Sequence, residues 1–163
     1  MPTRAAGATV VIMHVRRSLA TAAVIIAVGA LLAACTTTSG GVKGDLARST
    51  DQVASAAQSA LLSAQQLQAE KTMTTVTETT LEDSLTEVTD AQTQVLESEA
   101  HQGDEAALRD RVIETTQDVA DAIDAVRESL ATDDAGLDAA VQQLQAAADA
   151  ASALSTESKG LQR

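Results

Sequence analysis

Reactive side chains are scarce in this chain of 163 residues: one cysteine, Cys35, and two histidines, His14 and His101, stand against 23 carboxylates. Glu97 and His101 are four residues apart, a spacing that brings two ligands to one face of a helix, where they could share a metal ion. The simpler reading is a solvated helix C-terminus with an imidazolium near the negative end of the dipole. A helical di-iron centre needs two Glu-x-x-His pairs and two further Glu, so the histidine count excludes it. Met73 and His101 fall at opposite ends of one predicted helix, which leaves a haem without a ligand pair.

Carboxylates offer a second chemistry. Asp118, Asp121 and Asp124, with Glu114 and Glu128, line one acidic region of a predicted helix, and Asp133 and Asp134 follow at the next turn. Calcium takes oxygen ligands, but from a loop that wraps the ion, and no EF-hand spacing is present. Charge on a helical bundle is ordinarily its solvated face. Nucleophilic catalysis has no support either: there is no Gly-x-Ser-x-Gly elbow and no second histidine beyond the leader to activate a hydroxyl. Two carboxylates on a solvated face have no reason to titrate apart. The chain has no Phe, Trp or Tyr, hence no stacking platform for sugars or bases. The expectation is a protein that is not an enzyme and holds no metal or cofactor.

Cys35 gains its meaning from its surroundings. Arg16 and Arg17 precede an uncharged stretch from Ser18 to Ala34, SLATAAVIIAVGALLAA, with small residues before the cysteine. A positive start, an apolar middle and a small-residue end are the layout of a signal peptide. The four residues Leu32, Ala33, Ala34 and Cys35 resemble the lipobox of bacterial lipoproteins. That resemblance implies a diacylglyceryl group on the Cys35 sulfur, signal-peptidase recognition of Leu32, Ala33 and Ala34, cleavage before Cys35, and often acylation of the new amino group. A single acyl chain anchors only marginally, so two or more are needed for stable attachment. The alternative is an uncleaved transmembrane anchor that ends in Cys. On either reading the arginines stay inside and the remainder is exported, which places the domain on the extracytoplasmic side of the cell membrane. Met13, directly before His14, Val15, Arg16 and Arg17, is a candidate true start. The Arg16–Arg17 pair fits a twin-arginine route poorly, because Ser-Leu-Ala follows it.

Three domain segments follow: 1–34 as signal, 35–45 as lipidated cysteine and flexible tether, 46–163 as a helical bundle. The tether Thr36 to Gly44 is polar and Gly-rich; Thr36, Thr37, Thr38 and Ser39 are either a plain spacer or an O-glycosylated one. Arg4, Arg16 and Arg17 lie in the leader, so the remainder keeps eight basic residues against 23 acidic, a net charge of −15. A field of that sign repels phosphate backbones and argues against nucleic acid as partner. It also argues against a basic surface that grips anionic lipid, so attachment must be covalent. With one cysteine no intramolecular disulfide forms, and the fold rests on helix packing alone.

The positioning elements are helices. Beyond Pro2 there is no proline, apolar residues recur at spacings of three and four, and no alternating run suggests a strand. The first helix spans about 46–70, with Leu46, Val53, Ala60 and Leu67 in one row and Ala57 and Ala64 beside it. The second spans about 76–100 on Leu81, Leu85, Val88 and Val95, with Thr75 and Glu78 spaced as a capping box. The third begins with Asp104 as N-cap and carries Val112, Val119, Val126, Ile123 and Leu130. The fourth begins after Asp133, with Leu137, Val141, Leu144, Ala148 and Ala151. Short linkers between matched helices predict an antiparallel up-down-up-down four-helix bundle. If Lys71 to Thr74 stays helical, a three-helix bundle with one long first helix replaces it. Much of the apolar content is Ala, which buries far less than the roughly 1.5–3 kcal/mol of a Leu or Val, so the core is thin.

The Ala- and acid-rich composition resembles small uncharacterised helical lipoproteins of high-GC Gram-positive bacteria, a likeness that implies no defined activity. The expected function is a lipid-anchored, non-catalytic module of the cell envelope, acting through protein contacts or self-association, or as a spacer. Two alternatives are a lipoprotein that binds a small molecule or cation in its core, and an oligomeric coiled-coil spacer resembling the small outer-membrane lipoprotein tethered to peptidoglycan. The seven-residue rows favour the second; its Gly-containing turns and the lack of a terminal Lys oppose it.

Overall fold

The seven-residue rows become the inner faces of four α-helices: α1 (Gly41–Gln68), α2 (Thr74–Leu96), α3 (Gly103–Thr132) and α4 (Leu137–Gly160). The computed structural model describes residues 41–100, 103–132 and 136–161; no strand occurs among them. Each helix packs on the next, and α1 also packs on α4, which closes an up-down-up-down four-helix bundle. Leu46 near the start of α1, Val95 near the end of α2, Leu108 and Val112 early in α3, and Leu154 late in α4 share one cluster. Only alternating helix directions bring those positions to one end.

One diagonal is closer than the other. The backbones of α1 and α3 approach closely, whereas those of α2 and α4 stay farther apart. The residues of α1 explain the asymmetry. Ala47, Ala54, Ala56, Ala57, Ala60 and Ala64 are all buried, and a methyl side chain lets three neighbours approach one backbone. Val119, Ile123 and Val126 of α3, fully buried, fill the space this leaves. Among the described residues the apolar core is therefore built from alanine, valine, leucine and isoleucine alone.

That core has two parts. The larger cluster runs from Val53 to Ala64 on α1, with Leu81, Val88, Val119, Ile123, Val141 and Leu144. The smaller holds Leu46, Val95, Leu108, Val112 and Leu154. Along α1 the two are separated by Thr50, along α3 by Thr116. Both are buried, and their hydroxyls donate to the carbonyls of Leu46 (2.7 Å) and Val112 (2.6 Å) one turn back. No buried side-chain polar atom among the described residues lacks a partner.

The first break is real, so the three-helix alternative is set aside. Glu70 adopts φ +55°, Lys71 N donates to Gln66 O (2.8 Å), and Glu70 N donates to Leu67 O (2.9 Å). These are the paired bonds of a Schellman motif, with Glu where glycine is usual.

Several boundaries differ from expectation. Helix α1 starts at Gly41, inside the segment read as tether, because Val42 packs on the smaller cluster and Gly44 is buried. That packing offsets the roughly 1 kcal/mol that a helical glycine costs. The Thr75–Glu78 capping box does not form. Helix α2 starts at Thr74 after extended Met73, whose carbonyl accepts from Val76 N and Thr77 N, and no side chain caps it. Thr77 is fully buried, with its hydroxyl 3.5 Å from Ser63 O, and that contact draws the helix start forward. Asp104 is not the N-cap of α3 but lies in its first turn with Glu105, after Gly103 at φ +69°. Helix α4 begins at Leu137, behind Gly136.

Candidate functional site

Leu32, Ala33, Ala34 and Cys35, the residues expected to carry cleavage and lipid, lie outside the described residues, as do His101, Asp133 and Asp134. Glu97 caps the end of α2, its backbone N–H donating to Thr93 O and Val95 O. Glu114, Asp118, Asp121, Asp124 and Glu128 are all exposed on α3. Asp124 accepts from Arg127 at 2.8 Å, an exposed pair three residues apart. Asp118 and Asp121 border a shallow groove against Gln143, Ala146, Ala147 and Ala150 of α4. Among the described residues no three His, Cys, Asp or Glu side chains converge as a metal site would require. Met73 is exposed beside the α1–α2 turn.

The polar side chains that do converge join helices. Along the α1–α4 seam, Asp51 Oδ1 accepts from Lys159 Nζ (2.6 Å) and Ser155 Oγ (3.0 Å). Gln58 Nε2 donates to Ser152 Oγ (3.3 Å), and Gln65 Nε2 to Gln145 Oε1 (3.1 Å). Gln68 Nε2 donates to Asp138 Oδ1 (2.7 Å) at the far end. Asp51, Gln58 and Gln65 are seven apart, and so are Lys159, Ser152 and Gln145. The two series run in opposite directions, so this ladder matches only one antiparallel register.

Two further ties hold the end where α1 begins. Arg111 on α3 binds Glu157 on α4 through both nitrogens, at 2.6 and 2.7 Å, the bidentate geometry that arginine favours. Arg109 closes the end of α2: Nε donates to Val95 O (3.2 Å) and Nη2 to Leu96 O (3.4 Å). A cation beside the last carbonyls of α2 also suits the helix dipole. The Lys159 ammonium holds the Asp51 carboxyl below the usual carboxylate range, with Ser155 assisting against partial burial. Arg111 lowers the Glu157 carboxyl likewise, and Glu157 in turn raises the Arg111 guanidinium.

None of these ties was singled out from the sequence. The seven-residue spacing of Asp51, Gln58 and Gln65 was visible beside the apolar row, but its partners depend on the α4 register. No helix among the described residues is long and apolar enough to cross a membrane. Comparison of the chain with family models, curated proteins and solved structures finds no match.

Proposed function

We propose that this chain is an exported lipoprotein whose bundle is held at the extracytoplasmic face of the cell membrane by lipid on Cys35. There it works without catalysis, as a spacer or through contacts with envelope proteins. The observation that carries the reading is the run from Arg16 to Cys35: two arginines, an uncharged stretch and Leu-Ala-Ala-Cys at its end. The bundle supports the second half. Its polar convergences are spent on joining helices, and its core is closed by small side chains rather than opened as a ligand cavity of the usual apolar, concave kind. The same packing weighs against a small-molecule carrier. The apolar rows are buried within one chain, which weighs against a coiled-coil spacer that would need them to oligomerise.

The test is to fractionate cells expressing wild type and Cys35→Ala, and to weigh the N-terminal peptide of the membrane-extracted protein. The reading expects wild type in the membrane fraction with an acylated Cys35, and the variant released or retained as unprocessed precursor. Wild type that is soluble, or membrane-bound with a free Cys35 thiol, would refute it. Mass spectrometry of proteins co-extracted with wild type but lost with Cys35→Ala then separates a contact module from a spacer.

A further inference from the structure

We propose that the end of the bundle carrying Gly41 rests on the phospholipid headgroup surface, with Leu96 and Leu161 as its apolar contacts. The inference depends on the reading that Cys35 carries lipid. Five residues lie between Cys35 and Gly41, six steps along the chain, and at no more than about 3.3–3.6 Å per step they reach roughly 20 Å. Helix α1, with 28 residues, is about 42 Å long at 1.5 Å per residue. An anchor at Cys35 therefore keeps this end within reach of the bilayer and lets the far end stand clear.

Of the five large apolar side chains exposed among the described residues, two lie at that end; Leu62, Met73 and Val76 lie toward the other, so it is the reach of the tether that selects the Gly41 end. Leu96 is 53% exposed at the end of α2, and Leu161 is 49% exposed just past α4. Leu161 borders a groove with Lys43, Asp104, Leu108, Arg111 and Glu157, two cations against two carboxylates, which places it beside the entry of the chain into α1. Arg109 donates to the Leu96 carbonyl, so the same α3 segment stands next to both leucines. Leucine enters the headgroup–acyl boundary readily, and long cationic side chains beside it lay their stems on apolar surface while their charge stays in water.

Charge favours this end over the flanks. Within 41–51, 93–100, 103–111 and 154–161, five basic residues stand against eight acidic; the remaining described residues hold two basic against thirteen acidic. Both parts are net negative, but the end carries less negative charge for its size, so anionic lipid repels it less than the rest of the bundle. The contact need not be strong. A tethered surface meets the bilayer at a high effective concentration, so an interface too weak to capture a free protein is populated once anchored.

The absence of Phe, Trp and Tyr supplies a clean reporter, because any tryptophan introduced is the only one. Three variants, Leu96→Trp, Leu161→Trp and Leu62→Trp, replace exposed leucines, the last toward the far end of α1. The chain from Cys35 onward, which contains the whole described bundle, is coupled through its thiol to maleimide-bearing vesicles of phosphatidylcholine with a minority of phosphatidylglycerol and brominated acyl chains. The proposal expects quenching and a blue shift for Leu96→Trp and Leu161→Trp, about two-fold or more beyond Leu62→Trp. Equal quenching of all three means the bundle lies flat, and no quenching means it hangs free; either overturns the proposal. A blue shift that grows with protein concentration before vesicles are added assigns the leucines to a second copy of the chain and also overturns it. Acylation of Cys35 is read from the native peptide mass, so a failed lipid assignment is not confused with a failed contact.

Discussion

Gln65 on α1 and Gln145 on α4 meet amide to amide at 3.1 Å, one heptad from the Gln58–Ser152 contact and two from Lys159–Asp51. Each rung is exposed and weak alone. Their shared spacing matters more, because sliding α4 by one turn unpairs all three at once. Small alanines on the α1 face tolerate several packings, and the polar ladder selects among them, much as charged flanking positions set register in coiled coils.

Reversing one rung tests that selection. Asp51→Lys opposes two ammonium groups across the seam and is expected to destabilise the bundle by about 0.5–1 kcal/mol, the scale of an exposed pair. Adding Lys159→Asp should recover most of the loss. Urea denaturation of both variants measures it; a double variant no better than the single one would show that the rung carries no register information.

Acid should dissolve two ties in a defined order of sign. The Asp51 and Glu157 carboxyls are held below their ordinary values by Lys159 and Arg111. Their contribution is fully present above the ordinary carboxylate range and is lost as pH falls through the lowered folded values. The Asp51→Asn, Glu157→Gln double variant should therefore melt below wild type at neutral pH, and the gap should close under strongly acidic conditions. Melting curves followed by circular dichroism across that range report it.

Glu70→Gly should stabilise the protein by about 1 kcal/mol, since it removes the left-handed strain of a side-chain-bearing residue at φ +55°. A rise in the denaturation midpoint with unchanged slope would confirm it. Glu70→Ala, which keeps the Cβ, should give no such gain.

Ala60→Leu is expected to cost about 2–3 kcal/mol. Ala60 is fully buried where α1 meets its neighbours, and three added carbons have no room to enter. At exposed Ser59 the same leucine should be nearly neutral. Equal effects at the two sites, measured by denaturation, would mean the diagonal approach of α1 and α3 is looser than described.

How far the fold was legible follows from these positions. The rows Leu46–Val53–Ala60 and Val112–Val119–Val126 could be read directly, because burial on a helix imposes its period on the sequence. Of the first row, Leu67 is only half-buried, in the last turn of α1. The turn at Glu70 left no mark, since its left-handed residue is neither Gly nor Asn and the bonds that close it are backbone to backbone. Gly41 to Gly44 misled for the opposite reason: glycines signal a tether, yet Val42 had a cluster to join. At Thr75 the local capping pattern lost to the burial of Thr77, two residues on. Cross-helix partners such as Arg111 and Glu157 lie 46 residues apart, and nothing local connects them. The run from Arg16 to Cys35 could be read by itself, but it lies outside the described residues, and its reading as a lipobox rests on the sequence alone.

The threonines that divide the core also divide its mechanics. Tension arriving through the residues before Gly41 meets the five-residue cluster around Leu46 and Val112 first, while the larger cluster lies behind Thr50 and Thr116. On the proposed attachment through Cys35, a pull would therefore load the smaller of the two clusters before the larger.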